Sequence, residues 1–569
     1  MRASETVAYP ARARLGFMQE KQQMARFILS GVASALAMAT VANAQSYLTT
    51  GPSSSATPYI VPFPGSTAIT DIVSILTVGD SIDGYQMLGI PDGMGAFLAK
   101  DGTMQLFVNH EFTATASGVQ HAHQPRGFAG GSFIAHWNVN VEAGVDFLSV
   151  NSGTDAILES QAVTNGSGGS LYNFARFCSG DIADQSAYVN GATGAGTLNR
   201  FYTCGEESGA AGRMIATDLN TGIAYQMTAF DPVLGAWENG VSRPFESDQT
   251  VMVGLSDGNA NRVFVYVGTK QTDGNPAERA GLLNGAAYGI QVNVDGLPVA
   301  AETRENCFGS SSLVLSAPFT LAPAGQAAGT TFLRPEDGAW DPSNPADFYF
   351  VTTDRMSTTS GGSPQSHASR LYRLRFTDVN DVLAGGTIEA LLDGTDVMEM
   401  GDNLTVFNDL QGGTRVMITE DPGNHPHSAK TLLYTVANDT LEIVAQSDPA
   451  RFGDIGVAPT APYNQDEENS GIIDARETLG LGWFIADMQA HYALGNPLVE
   501  GGQLYAFFSP EAVGSSRSDL SRPLDGIVDG SDLGILLGGW GSAGVSDINR
   551  DGTTDGADLG LLLGAWNAN

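Results

Sequence analysis

The 569 residues carry 62 Asp and Glu against 27 Lys and Arg, a formal charge of −35. No basic stripe exists to neutralise phosphates, which excludes nucleic acid as a partner, while the acidic excess suits divalent cations or a salty medium. Gly at 70 residues, hydrophobic residues at 42% and the lack of long Ala/Glu/Lys/Leu/Arg tracts predict a turn-rich β protein, large enough for a main core and an accessory module.

The chain opens on an export signal. Lys21 and Arg26 precede the apolar run Phe27–Ala39, and Ala42-Asn43-Ala44 supplies the small residues of a cleavage site, which predicts residues 1–44 as a signal peptide with an over-extended start. The run is short for a membrane anchor and no second one follows, so the mature chain is expected to lack a transmembrane segment and to be secreted, periplasmic or on the cell surface. Residues 45–68, rich in Ser, Thr, Pro and Gly, read as a flexible leading segment. Only Cys178, Cys204 and Cys307 are present, so at least one thiol stays unpaired, and a Cys204–Cys307 bridge is one possibility.

From residue 69 to 510 short runs of β-branched and aromatic residues alternate with turn residues. Gln105–Val108, Arg262–Val267, Asp347–Val351, Arg415–Thr419 and Gln503–Phe508 read as strands. Arg213–Asp218 and Ile223–Met227, joined by Leu219-Asn220-Thr221-Gly222, read as a hairpin. Many such units with few helices predict an all-β domain, a β-propeller, with a β-helix or a pair of sandwiches as competitors.

Residues 519–569 form a separate module with an internal repeat. Asp525-Gly526-Ile527-Val528-Asp529-Gly530-Ser531-Asp532-Leu533 recurs as Asp551-Gly552-Thr553-Thr554-Asp555-Gly556-Ala557-Asp558-Leu559. In the second copy Asp547, Asn549, Asp551, Asp555 and Asp558 take positions 1, 3, 5, 9 and 12 of a calcium loop, with Gly552 at the sharp turn and the Thr553 carbonyl next. In the first copy Ser521 and Pro523 fall at positions 1 and 3, which predicts poor binding there. With Asp as the last ligand, the module resembles a dockerin. That resemblance implies a small α-helical calcium-binding unit and a cohesin-like protein partner; a self-contained folding cap is the alternative.

Four short polar segments stand out in the main domain: Asn109-His110-Glu111, Cys178-Ser179-Gly180, Cys204-Gly205-Glu206-Glu207 and Leu333-Arg334-Pro335-Glu336-Asp337. Taken singly, each has an ordinary reading as a hydrogen-bonding strand end, a buried thiol, a solvated turn or a surface ion pair. In this order, with Gly401-Asp402-Asn403-Leu404 and Gln489-Ala490-His491, they resemble the PhoX-type alkaline phosphatase family. The resemblance implies a six-bladed propeller whose channel holds iron (Fe³⁺) and calcium and hydrolyses a small-molecule phosphate ester. Carried over, Cys178 is the thiolate ligand, Glu336 and Asp402 are carboxylate ligands, and Glu111 and Glu206 are calcium-side carboxylates. Arg334 and Glu207 are the groups that contact phosphate. The resemblance gives Asp337 no role, and it reads as a turn residue. The family's His-Glu of the next blade stands here as Trp237-Glu238.

The donor chemistry agrees with that implication. A soft thiolate among hard carboxylates suits Fe³⁺, all-oxygen positions suit Ca²⁺, and a guanidinium fork matches phosphoryl oxygens. Two other functions fit the same residues: a non-catalytic calcium-binding propeller assembled at the cell surface through its tail, and a calcium-dependent propeller lactonase or esterase.

Overall fold

The structure, a computed structural model, describes residues 47–113, 131–141, 148–162, 173–231, 235–258, 260–309, 314–323, 328–355, 369–521, 524–542, 545–549 and 552–566. The expected signal peptide lies outside the described residues. No helix among them is long and apolar enough to cross a membrane.

The main domain is mostly β and propeller-like. Its repeating unit is a four-stranded antiparallel meander, with inner strands Pro91–Leu98, Phe177–Asp181, Ala236–Ser242, Pro335–Asp341, Gly401–Asn408 and Glu467–Asp474. The expected strands all lie in these meanders, and the hairpin forms as Met214–Asp218 with Ile223–Gln226. Such antiparallel pairing rules out the parallel β-helix. The sixth meander is closed by the N-terminal strand Asp71–Thr77, which pairs with Val499–Phe508, so the two ends of the domain share one sheet. A strand at Ser316–Pro323 joins the outer edges of the third and fourth meanders, covering edges that would otherwise be open to pairing.

Each inner strand packs against the next, and the sixth packs against the first, so the six form a closed ring. Side chains facing outward fill apolar cores between meanders, with Trp137, Trp237, Tyr202, Tyr266 and Tyr372 among the large buried groups. Polar ties cross the ring itself. Asn239 Nδ2 donates to Asp337 Oδ1 at 2.7 Å, and Asp337 Oδ2 accepts from the Leu404 amide at 3.3 Å. Asp337, expected in a turn, is thus a buried tie between three neighbouring inner strands. Asn403 Nδ2 donates to Ser179 Oγ at 2.6 Å, and Ser470 Oγ to Asp92 Oδ1 at 2.8 Å.

The three thiols are unbridged, so the Cys204–Cys307 possibility is not realised. The two residues sit in different apolar cores.

The C-terminal segment forms two helices, Gly530–Gly538 and Gly556–Gly564, each opened by an Asp-to-Asp capping box. Leu520, Val528, Leu536, Ile548 and Leu562 make a small core, while Leu524 anchors in the core of the main domain. The preceding loops close alike. Gly526 N donates to Asp519 Oδ2 at 2.9 Å, as Gly552 N does to Asp547 Oδ2 at 2.8 Å. Asp519, not Ser521, therefore stands in the register of Asp547. The first loop is longer than the second, which corrects the alignment expected from the repeat. Asp551 lies outside the described residues.

Ring closure leaves little room at its tightest point. A Cβ on Gly93 would lie 2.0 Å from the Gly180 amide nitrogen of the neighbouring strand. Gly93→Ala must separate two inner strands, and we expect it to cost at least about 1–3 kcal/mol in urea unfolding; an unchanged midpoint would contradict the close approach.

Candidate metal centre

The same local device recurs at the start of the inner strands. Ile90, Arg176, Arg334 and Met400 have φ of 51°, 50°, 61° and 52°, values that non-glycine residues seldom adopt. Each carbonyl accepts the amide that follows the meander's second strand: Glu111 at 2.9 Å, Glu207 at 2.8 Å, Thr353 at 3.0 Å and Asp421 at 3.0 Å. Two residues after each comes a polar side chain: Asp92, Cys178, Glu336 and Asp402. All six inner strands carry a register shift near this point. A bulge of this kind re-aims a side chain that regular pleating would send elsewhere.

The result is an acidic array where the inner strands begin. Three groups have ligand atoms within 4.8 Å of one another: Asp92, Glu111 and Cys178; Cys178, Glu207 and Glu238; Glu238, Glu336 and Asp402. Cys178 belongs to the first two groups and Glu238 to the last two, so the three are linked. Asp92, Glu238 and Glu336 are at most 2% exposed.

Burial and mutual repulsion dominate the electrostatics. Asp92, Glu207, Glu336 and Asp402 are all pushed well above the usual carboxylate range, first by desolvation and then by neighbouring carboxylates. Glu238 is pushed up to about 7 by burial, partly opposed by Ser179, whose hydroxyl donates to it at 2.5 Å. The Cys178 thiol is raised well above its ordinary value by burial and by Asp92, Glu111, Glu238 and Glu207. Buried like charges must take up protons or bind cations.

Two arginines partly answer this. Arg176 reaches Glu111 Oε1 at 2.5 Å and also grips Glu207. Arg334 makes a fork to Asp257 at 2.8–3.1 Å and contacts Glu336 Oε1 at 2.9 Å.

The donors fit cations. Besides carboxylates and one thiol, three buried amide oxygens around the array lack hydrogen-bond partners: Asn109 Oδ1, Asn403 Oδ1 and Gln489 Oε1. Their NH₂ groups are already committed. Gln489 Nε2 faces oxygens of Asp92, Glu111 and Glu468 at 3.1–3.2 Å, which turns its carbonyl oxygen away from them. Acidic residues so clustered could bind metal, with the hard oxygens and soft sulfur leaving more than one ion possible.

Of the residues expected from sequence, Cys178, Glu336, Asp402, Glu111 and Glu207 come together. Cys178 and Glu336 fall in separate groups, joined through Glu238. Glu206 does not join them. It is buried against Arg213, which reaches its carboxylate through Nε at 2.5 Å and Nη2 at 2.8 Å, and it accepts the Ala175 and Arg213 amides. The physical reason is strand parity: adjacent residues point to opposite faces, so Glu207 enters the array and Glu206 the meander interior. Arg334, expected as a phosphate clamp, is held here by Asp257 and Glu336.

Sequence reasoning missed Asp92 and Arg176, and it named Gln489 and Glu238 in the resemblance without giving either a role. One signal was present: Cys178-Ser179-Gly180, Glu238-Asn239-Gly240 and Glu336-Asp337-Gly338 share a ligand–polar–glycine pattern at the start of a strand, and Asn469-Ser470-Gly471 repeats its frame.

Comparisons with known proteins find only distant likeness. No family model matches the chain, and no curated protein matches it. Among solved structures, Pseudomonas fluorescens PhoX in complex with vanadate is similar at 13% identity and a TM-score of 0.43, covering 75% of this chain and 90% of that one. A Penicillium chrysogenum α-L-arabinanase has 9% identity and a TM-score of 0.33, covering 80% and 100%. The NanB sialidase of Streptococcus pneumoniae has 11% and 0.28, covering 77% and 70%. At these scores the likenesses carry no information on activity.

The neighbouring glutamates separate by experiment. Glu206→Gln breaks a buried ion pair and should cost about 3–5 kcal/mol in chemical unfolding, with or without chelator. Glu207→Gln should change metal retention far more than stability; the reverse pattern would contradict the placement.

Acid should act oppositely on the two metal states. In chelated protein the folded Glu238 carboxyl titrates near 7, above the 4.5 of a free carboxyl, so the folded state binds the extra proton between these values. Stability should therefore rise as pH falls from about 7 towards 4.5, and decline as pH rises through that window. Cation-loaded protein should lose stability over the same fall, because protons compete with the metal. Urea melts at pH 8 and 5.5 decide it, and a chelated protein that weakens on acidification would contradict the account.

Proposed function

We propose that the chain is an exported metal-dependent phosphoesterase of the PhoX type, its six meanders being the blades of a propeller. The observation that carries this reading is the linked array in which one thiol sits among buried carboxylates with two guanidiniums at its edges. Cys178, Glu207 and Glu238, together with Glu336 and Asp402, would hold ferric iron. Asp92, Glu111 and the Gln489 oxygen offer oxygens suited to calcium, in place of Glu206. Such ions, when bound, screen the ester's negative oxygens and make water a nucleophile at neutral pH.

The protein's own groups have separate tasks. Once Glu336 is taken up by a cation, Arg334, still held by Asp257, presents its remaining N–H groups and its charge to the phosphoryl oxygens. Ser179 holds Glu238 in place through both its amide, at 3.1 Å, and its hydroxyl. His491, bonded to Glu500 at 2.7 Å and 3.9 Å from Glu468, braces the sixth inner strand's carboxylate.

The C-terminal helices add a proposal about location. Leu537, Trp540, Leu561 and Leu563 are each about half exposed. Beside two loops of calcium-loop register they favour a dockerin-like module that docks on a cohesin-type partner outside the cell.

Purified protein should absorb visible light through thiolate-to-iron charge transfer and hydrolyse an aryl phosphate. Cys178→Ser should remove the colour, and Arg334→Gln should lower kcat/KM by about a hundredfold or more. Colourless protein that holds only calcium and cleaves no phosphomonoester or diester would contradict the reading.

A further inference from the structure

Arg176 repeats Arg334 in every backbone respect. Both have positive φ, both carbonyls accept the amide after the second strand, and both precede an array residue by two positions. Both side chains bridge two carboxylates of neighbouring meanders while remaining 41% and 38% exposed. They serve different parts of the array. Arg176 grips Glu111 and Glu207, members of the first two ligand groups, whereas Arg334 grips Glu336 of the third.

The carboxylates under Arg176 belong to residues that a cation in the first or second group would use. A multivalent cation on them repels the guanidinium and competes with it for the same negative charge. Loading the array would therefore release Arg176, whose side chain already reaches solvent. The freed fork carries donors in a plane that fits two oxygens of one phosphoryl group. Arg334 loses Glu336 in the same way but keeps its fork on Asp257, so an anion would meet the freed Arg176 fork and the charge of Arg334. A phosphate monoester offers three terminal oxygens and two negative charges; a diester offers two oxygens and one charge. One free fork, a second guanidinium and a cationic floor match the greater charge of the monoester.

We propose that Arg176 is a second anion clamp, freed by cation loading, which binds the phosphoryl group beside Arg334. This rests on the phosphoesterase reading and adds to it a residue.

Calorimetric titration of inorganic phosphate into the metal-loaded protein as isolated, and into the same protein after chelation, tests it. Phosphate should bind the loaded protein and not the chelated one. Arg176→Gln should weaken binding about tenfold or more, with Arg176→Lys recovering only part of the loss. Arg176→Gln should also lower the melting temperature of chelated protein, where the guanidinium neutralises Glu111 and Glu207, and leave the loaded protein unchanged. Equal destabilisation in both states would mark an inert ion pair and overturn the proposal. So would wild-type phosphate affinity in Arg176→Gln while Arg334→Gln binds weakly, an outcome that leaves the phosphoesterase reading standing. Loaded wild-type protein that binds no phosphate would overturn both.

Discussion

Mutual repulsion among buried carboxylates is the constraint on which the rest of the structure depends. Closing six inner strands into a ring brings Asp92, Glu238, Glu336 and Asp402 together with Glu207, all with little exposure to solvent. Among the described residues, the apolar cores outside the ring offer nothing that relieves that repulsion. Two arginines, a set of hydroxyl and amide donors, and the oxygens left open for cations must do so. The strain at Ile90, Arg176, Arg334 and Met400, of order 1–3 kcal/mol each, is tolerated because the surrounding sheets over-determine those positions.

The ring and the array are two aspects of one local geometry. Bulges near the starts of the inner strands turn Asp92, Cys178, Glu238, Glu336 and Asp402 towards a common region. Beside them, Asn239, Asp337, Asn403, Ser179 and Ser470 tie one strand to the next. A residue in this frame either aims at the array or fastens it, which explains why Glu336 and Asp337, adjacent in sequence, have different tasks.

Much of this was legible in the sequence. Alternating β-branched and aromatic runs located the strands, and the scarcity of charge made the Arg334-Pro335-Glu336 and Cys204–Glu207 segments conspicuous. What sequence could not resolve was parity and register. Glu206 and Glu207 differ only in which face of a strand they occupy, and a paired arginine, Arg213, decides the matter from seven residues away. Asp92, in Pro91-Asp92-Gly93, has the composition of a turn and becomes buried only when the first and sixth meanders meet. Glu238 lacks a preceding histidine, yet its position in the bulge brings it between two groups. In the C-terminal module the longer first loop hid Asp519 behind a repeat alignment that pointed to Ser521.

The central claim is that the array is a multi-cation centre in which Glu238 links neighbouring ions. Elemental analysis of desalted full-length protein, wild type beside Glu238→Gln, tests it most directly. The account predicts more than one tightly held cation in the wild type and a clear loss of metal in the variant. Wild-type and variant proteins with the same metal content would contradict it.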